Sequence, residues 1–369
     1  MTSSARLTTH ADTAAALALL SDGGLADLVA SGTPSATGVG GRCVLVDVDG
    51  TRVFVKQVPL TDRELLPHHV RSTADLFGAP PFCHYGIGAV CGPGFGAWRE
   101  LAVHEMTTDW VLSGRCSGFP LMRHWRVLPH PPRPLPDELA DVDAAIAYWG
   151  ARQVGEHIEA LRTASASLTL FLEHVPHTLH DWFHARLRTD GAEAACALVE
   201  KQLVELTDFL HGQGLVHFDA HFRNVLTDGR RLHLADYGLA VSDRFRLTAE
   251  ERDFLDRHRG YDRAYVRSYL VHWLVVDLYG YARDEREAFI RDCADGRRPE
   301  GIPRAAAALI SRHARVAATL GGFHRRIERH SRLTPYPYEE LAGLSADPLS
   351  AGSRTMSCAR ASTDGSSGK

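Results

Sequence analysis

Three residues in the second half of the sequence stand in an order that could do chemistry: Asp219, Asn224 five positions on, and Asp236 twelve beyond that. They lie in the stretch His217-Phe218-Asp219-Ala220-His221-Phe222-Arg223-Asn224, continued after Asp228-Gly229 by Leu232-His233-Leu234-Ala235-Asp236-Tyr237-Gly238. Phosphoryl transfer asks for such a set. One carboxylate must position and deprotonate an acceptor hydroxyl, and two further oxygen ligands must hold the magnesium ions that bridge the nucleotide phosphates. Asp219 suits the first role, Asn224 and Asp236 the second. Each alone reads as an ordinary turn residue, since Asp and Asn are favoured in loops; the three in order argue against that.

The flanking elements would hold such a set in place. Ala195, Leu198, Val199, Leu203, Leu206, Phe209 and Leu210 form one helical stripe, and Gly212 and Gly214 should stop that helix just before the loop. Val225-Leu226 and Leu232-His233-Leu234 flank Asp228-Gly229, a signal for a tight hairpin that brings Asn224 near Asp236. Earlier in the chain, Gly38-Val39-Gly40-Gly41 precedes an alternating run from Cys43, an Asp49-Gly50 turn, and Arg52-Val53-Phe54-Val55-Lys56. A Gly-rich turn between strands can cover phosphates with backbone N–H groups. Lys56 is one of only three lysines (56, 201 and 369) in an Arg-rich chain, so an ammonium in an apolar strand is a choice with a reason.

With these residues in place, the chain resembles the protein-kinase-like superfamily, and within it the small-molecule branch of aminoglycoside phosphotransferases and choline kinases. Asp219 and Asn224 match the spacing of the catalytic loop H-R-D-L-x-x-x-N, and Asp236-Tyr237-Gly238 stands where D-F-G is kept. His221, two residues after Asp219, favours the small-molecule branch over Ser/Thr protein kinases, which usually carry Lys there. The resemblance implies a cofactor set of ATP and Mg²⁺. It makes Lys56 the contact to the nucleotide α- and β-phosphates and Gly38, Gly40 and Gly41 the phosphate-covering turn. Lys56 then needs a Glu from the next long helix; a helix over 97–112 offers Glu100, preferred, and Glu105 in reserve. The Glu173 carbonyl and Val175 N–H take the place of the hinge contacts to adenine. Acceptor pockets in that branch are built from large-lobe helices and loops, a region where Tyr261-Asp262, Asp253 and Asp256 read as an ordinary polar helix face. Asp277 occupies the place of an Asp that steadies the catalytic loop from a central helix.

Composition sets the outer bounds. The 369 residues are 44% hydrophobic and 23% charged, the profile of a globular chain. A net charge of −4 argues against a nucleic-acid partner held by phosphate neutralisation. Seven cysteines, scattered and without a C-x-x-C pair, suggest neither a disulfide framework nor a zinc site and point to a reducing cytoplasm. No segment reads as a membrane anchor or an export signal.

The expected fold is α+β and bilobal: an antiparallel-sheet lobe over residues 31–175, with insertions near 78–96 and 129–165, and a mostly helical lobe over 176–345. Residues 1–30 read as a helical lead-in, Phe119–Met122 and Leu168–Leu172 as strands, 138–162 as a helical insertion, and the Ser- and Gly-rich 346–369 as a disordered tail. The expected activity is ATP- and Mg²⁺-dependent transfer of the γ-phosphoryl group to a hydroxyl of a small molecule. Two other readings stay open. An atypical Ser/Thr protein kinase is disfavoured by His221 and by the missing A-P-E, and a nucleotide-binding pseudokinase or scaffold by retention of Lys56, Asp219, Asn224 and Asp236.

Overall fold

The computed structural model describes residues 3–38, 41–86, 92–129 and 134–346. The chain is α+β. Two helices, α1 (Ser3–Ala18) and α2 (Asp22–Ser31), lead into β1 (Thr33–Gly38), β2 (Gly41–Val48) and β3 (Thr51–Leu60). Asp49 and Gly50 join β2 to β3 with positive φ at both positions, the geometry a two-residue hairpin turn demands. A one-turn helix α3 (Asp62–Leu65) precedes α4 (Ala97–Leu112), and β4 (Met122–Pro129) is followed by α5 (Val142–Trp149), α6 (Arg152–Arg162) and β5 (Ala166–Glu173). The five strands form one antiparallel sheet in the order β1-β2-β3-β5-β4.

Strand alternation decides what each face of that sheet carries. Val53 and Val55 turn to one face with Val44, Val46 and Phe171, where Leu17, Leu25 and Val29 of α1 and α2 cover them. Phe54, Lys56 and Val58 turn to the other, where Trp98 and Leu101 of α4 pack on Leu168, Leu170 and Leu172. Lys56 is thereby aimed at α4.

Beyond β5 the chain is mostly helical: β6 (His177–Thr178), α7 (Leu179–Arg186), α8 (Ala192–Gly212), β7 (Leu215–Val216), β8 (Val225–Thr227), β9 (Leu232–Leu234), β10 (Val241–Ser242), α9 (Ala249–His258), α10 (Tyr261–Tyr279), α11 (Arg283–Ala294), α12 (Arg304–Arg329) and α13 (Tyr338–Ala346). Helices α8, α10 and α12 enclose the largest apolar cluster through residues such as Leu203, Leu210, Leu274, Ile310, Leu320 and Phe323. No single helix among the described residues is long and apolar enough to cross a membrane.

Several expectations shift by a few residues for visible reasons. The strand expected over Phe119–Met122 begins only at Met122, because Pro120 has no N–H to donate and the Phe119 carbonyl accepts from Arg6 instead of a neighbouring strand. The helical insertion over 138–162 is two helices broken at Gly150, which adopts φ 62°. The turn between β8 and β9 spans four residues, closed by the Asp228 carboxylate accepting from Arg230 and Arg231 N–H. The Gly-rich turn is preceded by a strand, β1, that the sequence did not signal; Gly40 falls outside the described residues, as does the tail from 347.

The lead-in helix α1 is anchored by charge. Arg6 donates to the Glu173 carboxylate at 2.6 and 2.8 Å and to the Ser117 and Phe119 carbonyls, with both side chains under 10% exposed. Removing one member of a buried pair strands the other charge, so Arg6→Met should destabilise the protein by about 3–5 kcal/mol. Adding Glu173→Leu should recover part of the loss, and urea unfolding of both variants is the check. A single-variant cost below about 1 kcal/mol, the scale of a surface pair, would show that the clamp is solvated.

Candidate active site

Lys56 is 5% exposed, and its ammonium lies 2.7 Å from Glu100 Oε1 and 3.0 Å from Asp236 Oδ1. The two carboxylates together hold it charged and raise its pKa against the burial that would lower it. Glu100 is presented by the first turn of α4, whose start is set by Glu64: the Glu64 carboxylate accepts from Ala97 N–H at 2.8 Å and its carbonyl accepts from Trp98 Nε1. Glu105, the alternative partner, points outward to Arg71.

The loop carrying Asp219 is tied down at both ends. Asn224 Nδ2 donates to the Asp219 carbonyl at 3.0 Å and to Asp219 Oδ2 at 2.9 Å. Ala235 N–H donates to the Asn224 carbonyl at 2.9 Å, which fixes Asp236 beside the loop. His217 bridges the same two segments: Nδ1 accepts from Asp219 N–H and Nε2 donates to the Ala235 carbonyl. Burial pushes His217 down to about 4, which keeps it in this neutral form. His221 Nδ1 accepts from the Arg223 and Asn224 N–H groups, leaving Nε2 3.7 Å from Asp219 Oδ1.

Two residues here hold positive φ without being glycine: Phe218 at 66° and Asp236 at 64°. Such conformations cost about 1–3 kcal/mol each and persist only when their surroundings enforce them. At Phe218 the enforcement comes from below. Asp262, buried in the first turn of α10, accepts from His217 N–H at 2.7 Å and Phe218 N–H at 3.0 Å. Asp262 rather than Asp277 steadies the loop; Asp277 pairs with His184 and Arg188. The signal that could have found it is an Asp set among Tyr261, Ala264, Tyr265 and Val266, too apolar a neighbourhood for a solvated face.

Environment divides the two carboxylates. Burial raises Asp219, the Asp236 charge adds to the effect, and its pKa reaches about 7. Burial opposes ionisation at Asp236 as well, but the Lys56 ammonium overcomes it and lowers Asp236 to about 2. One group is thus poised as a base near neutrality while the other stays anionic.

A cavity of about 610 Å³ opens onto this centre, with Glu100, Asp219, His221 and Asp236 on its wall. Gly41 lines it too; its φ is 109°, and a Cβ there would stand 2.1 Å from the Gln57 carbonyl, so glycine is required. Gly38 pairs with Gly41 at the end of β1. Glu173 and Val175 are not on this wall, and the Glu173 carboxylate is taken up by Arg6. Tyr261, Asp262, Asp253 and Asp256 are not on it either. The far wall comes instead from the insertion between β4 and β5: Leu135, Leu139, His157 and Leu161.

No cluster of three or more His, Cys, Asp or Glu side chains able to hold a metal occurs among the described residues. The Asn–Asp pair is a different donor set. Asp236 Oδ2 and Asn224 Oδ1 accept no hydrogen bond among the described residues, which suits an ion that draws its other ligands from phosphate and water. Compared with models of known protein families and with curated proteins, the chain matches none.

The raised pKa of Asp219 has a sign that can be measured. Its folded value of about 7 exceeds the unfolded 3.8, so its stabilising contribution is full below pH 4 and is lost as pH rises through 7. Without ligand, Asp219→Asn should therefore be more stable than the wild type at pH 8, by about 1–3 kcal/mol, with the difference gone at pH 4. Thermal melts across that range test it; a variant less stable at pH 8 would place the ionised carboxylate in a favourable environment.

Proposed function

We propose that this chain is a phosphotransferase of the protein-kinase-like superfamily, moving the γ-phosphoryl group of ATP to a hydroxyl of a small molecule. The observation that carries the proposal is the Lys56 ammonium held between Glu100 and Asp236, with Asp219 across from it on a tied loop. Asn224 and Asp236 would hold Mg²⁺, which would supply positive charge to neutralise the nucleotide phosphates. Lys56 orients those phosphates. Asp219 aligns the acceptor hydroxyl and takes its proton as the phosphoryl group transfers, and His221 helps hold the Asp219 carboxylate in line. The Glu173 carbonyl and Val175 N–H are assigned to adenine in the same reading. The cavity's volume of about 610 Å³ suits a small molecule, which supports that acceptor over a protein surface.

Mg·ATP should raise the melting temperature by ligand linkage. Asp219→Asn should keep that shift while transfer from γ-labelled ATP falls by roughly 10²–10⁴, the scale of a lost general base. Asp236→Asn should lose much of the shift itself. Absence of any shift at millimolar nucleotide would remove the phosphotransferase reading, and label found only on protein acceptors would move the assignment to a protein kinase.

A further inference from the structure

The insertion between β4 and β5 is built as a wall. Helices α5 and α6 pack through Ala145, Trp149, Val154 and Ile158 onto Ala79, Cys83 and Phe95 of the segment between β3 and α4, so two insertions brace each other beside the cleft. What they present to the cavity is apolar: Pro134, Leu135, Pro136, Leu139 and Leu161, continued by Phe95 of the same cluster.

Two polar side chains on the cavity wall are buried without a partner. His157 is 2% exposed and stacks on Phe77 with centroids 4.0 Å apart, and its ring nitrogens make no hydrogen bond among the described residues. Burial pushes it down to about 3, so it is a neutral imidazole with one donor and one acceptor. Gln57 is 8% exposed, and its Oε1 has no hydrogen-bond partner among the described residues. Buried polar groups left unpaired are costly unless something fills the site.

The insertion contributes no charged side chain to the wall; of the charges elsewhere on it, Arg42 forms no ion pair among the described residues. Glu64 accepts from Thr61 and Ala97, and Glu100 and Asp236 hold Lys56. The apolar half has no carboxylate to receive an ammonium group.

We propose that the apolar half of this cavity binds an uncharged alcohol or phenol with a hydrophobic body, its hydroxyl at Asp219 and a second polar group at His157. The transferred hydroxyl rests on the phosphotransferase reading; the apolar character of the half built from residues 134–161 does not. The far wall adds residues 134–161 to the large-lobe loop residues Asp219, His221, Gly238 and Leu239, and in this reading selection falls to that insertion.

Binding of Nile red, a neutral apolar dye, tests the pocket without catalysis. The wild type should bind the dye, and neutral aromatic alcohols should displace it while a polycationic aminocyclitol such as kanamycin does not. Leu161 and Leu135 are only partly buried, so Leu161→Asp and, as a second variant, Leu135→Asp put a charge on the wall without opening the core. Either should weaken dye binding by about tenfold or more, at an unchanged Mg·ATP thermal shift. Equal dye binding in both variants, or displacement by kanamycin and not by the alcohols, overturns the proposal. Dye bound as expected with no Mg·ATP shift in any protein would remove phosphoryl transfer and leave the pocket. A normal Mg·ATP shift with no dye binding would remove the pocket alone.

Discussion

One buried ammonium sets the terms for the rest of the molecule. Lys56 has left water almost completely, a transfer that is unfavourable unless opposite charge is held against it with good geometry. Its two counter-charges come from different elements: Glu100 from α4, and Asp236 from the segment after β9. Loss of the Lys56–Glu100 contact strands two charges that are both almost fully buried. The parity of β3, which turns Lys56 away from the valine face and toward α4, and the Glu64 cap that fixes where α4 begins are both conditions on that one contact.

The same centre shows how little separation is needed to give like groups unlike behaviour. Asp219 and Asp236 share a cavity wall, and the Asp236 side chain keeps 42% of its surface open. Lys56 binds one directly and reaches the other only weakly, and that difference parts their proton affinities by several units. The strained backbone at Phe218 and Asp236 is tolerated because fixed acceptors and donors, Asp262 beneath and Lys56 beside, leave no relaxed alternative.

What was legible in the sequence was local. Asp219, Asn224 and Asp236 are separated by short turns, so spacing carries their geometry, and α4 matched its expected span because Gly96 precedes sixteen residues without glycine or proline. Alternation and Asp49-Gly50 made β2 and β3 plain. Contacts that jump across the chain left no such trace. Arg6 meets Glu173 across 167 positions and Asp262 meets the loop across 44 to 45, and no periodicity links such pairs. The cavity wall was missed for the same reason: residues 134–161 read as a surface insertion until the packing of α5 and α6 on Ala79, Cys83 and Phe95 carries them over the cleft.

The residue just before Glu100 adds a constraint of its own. Arg99 is 2% exposed, its guanidinium 2.5 Å from Glu251 at the start of α9 and 2.8 Å from the Thr73 carbonyl. Glu251 is in turn locked in the capping box of Thr248. The helix that presents Glu100 is therefore bolted to the helical half of the molecule at the adjacent position. Swinging that helix outward, a cheap way to disconnect Lys56, would here tear open a second ion pair and an N-cap. The place of that helix is thus set by ion pairs at two successive residues, one reaching the sheet and one the helical half.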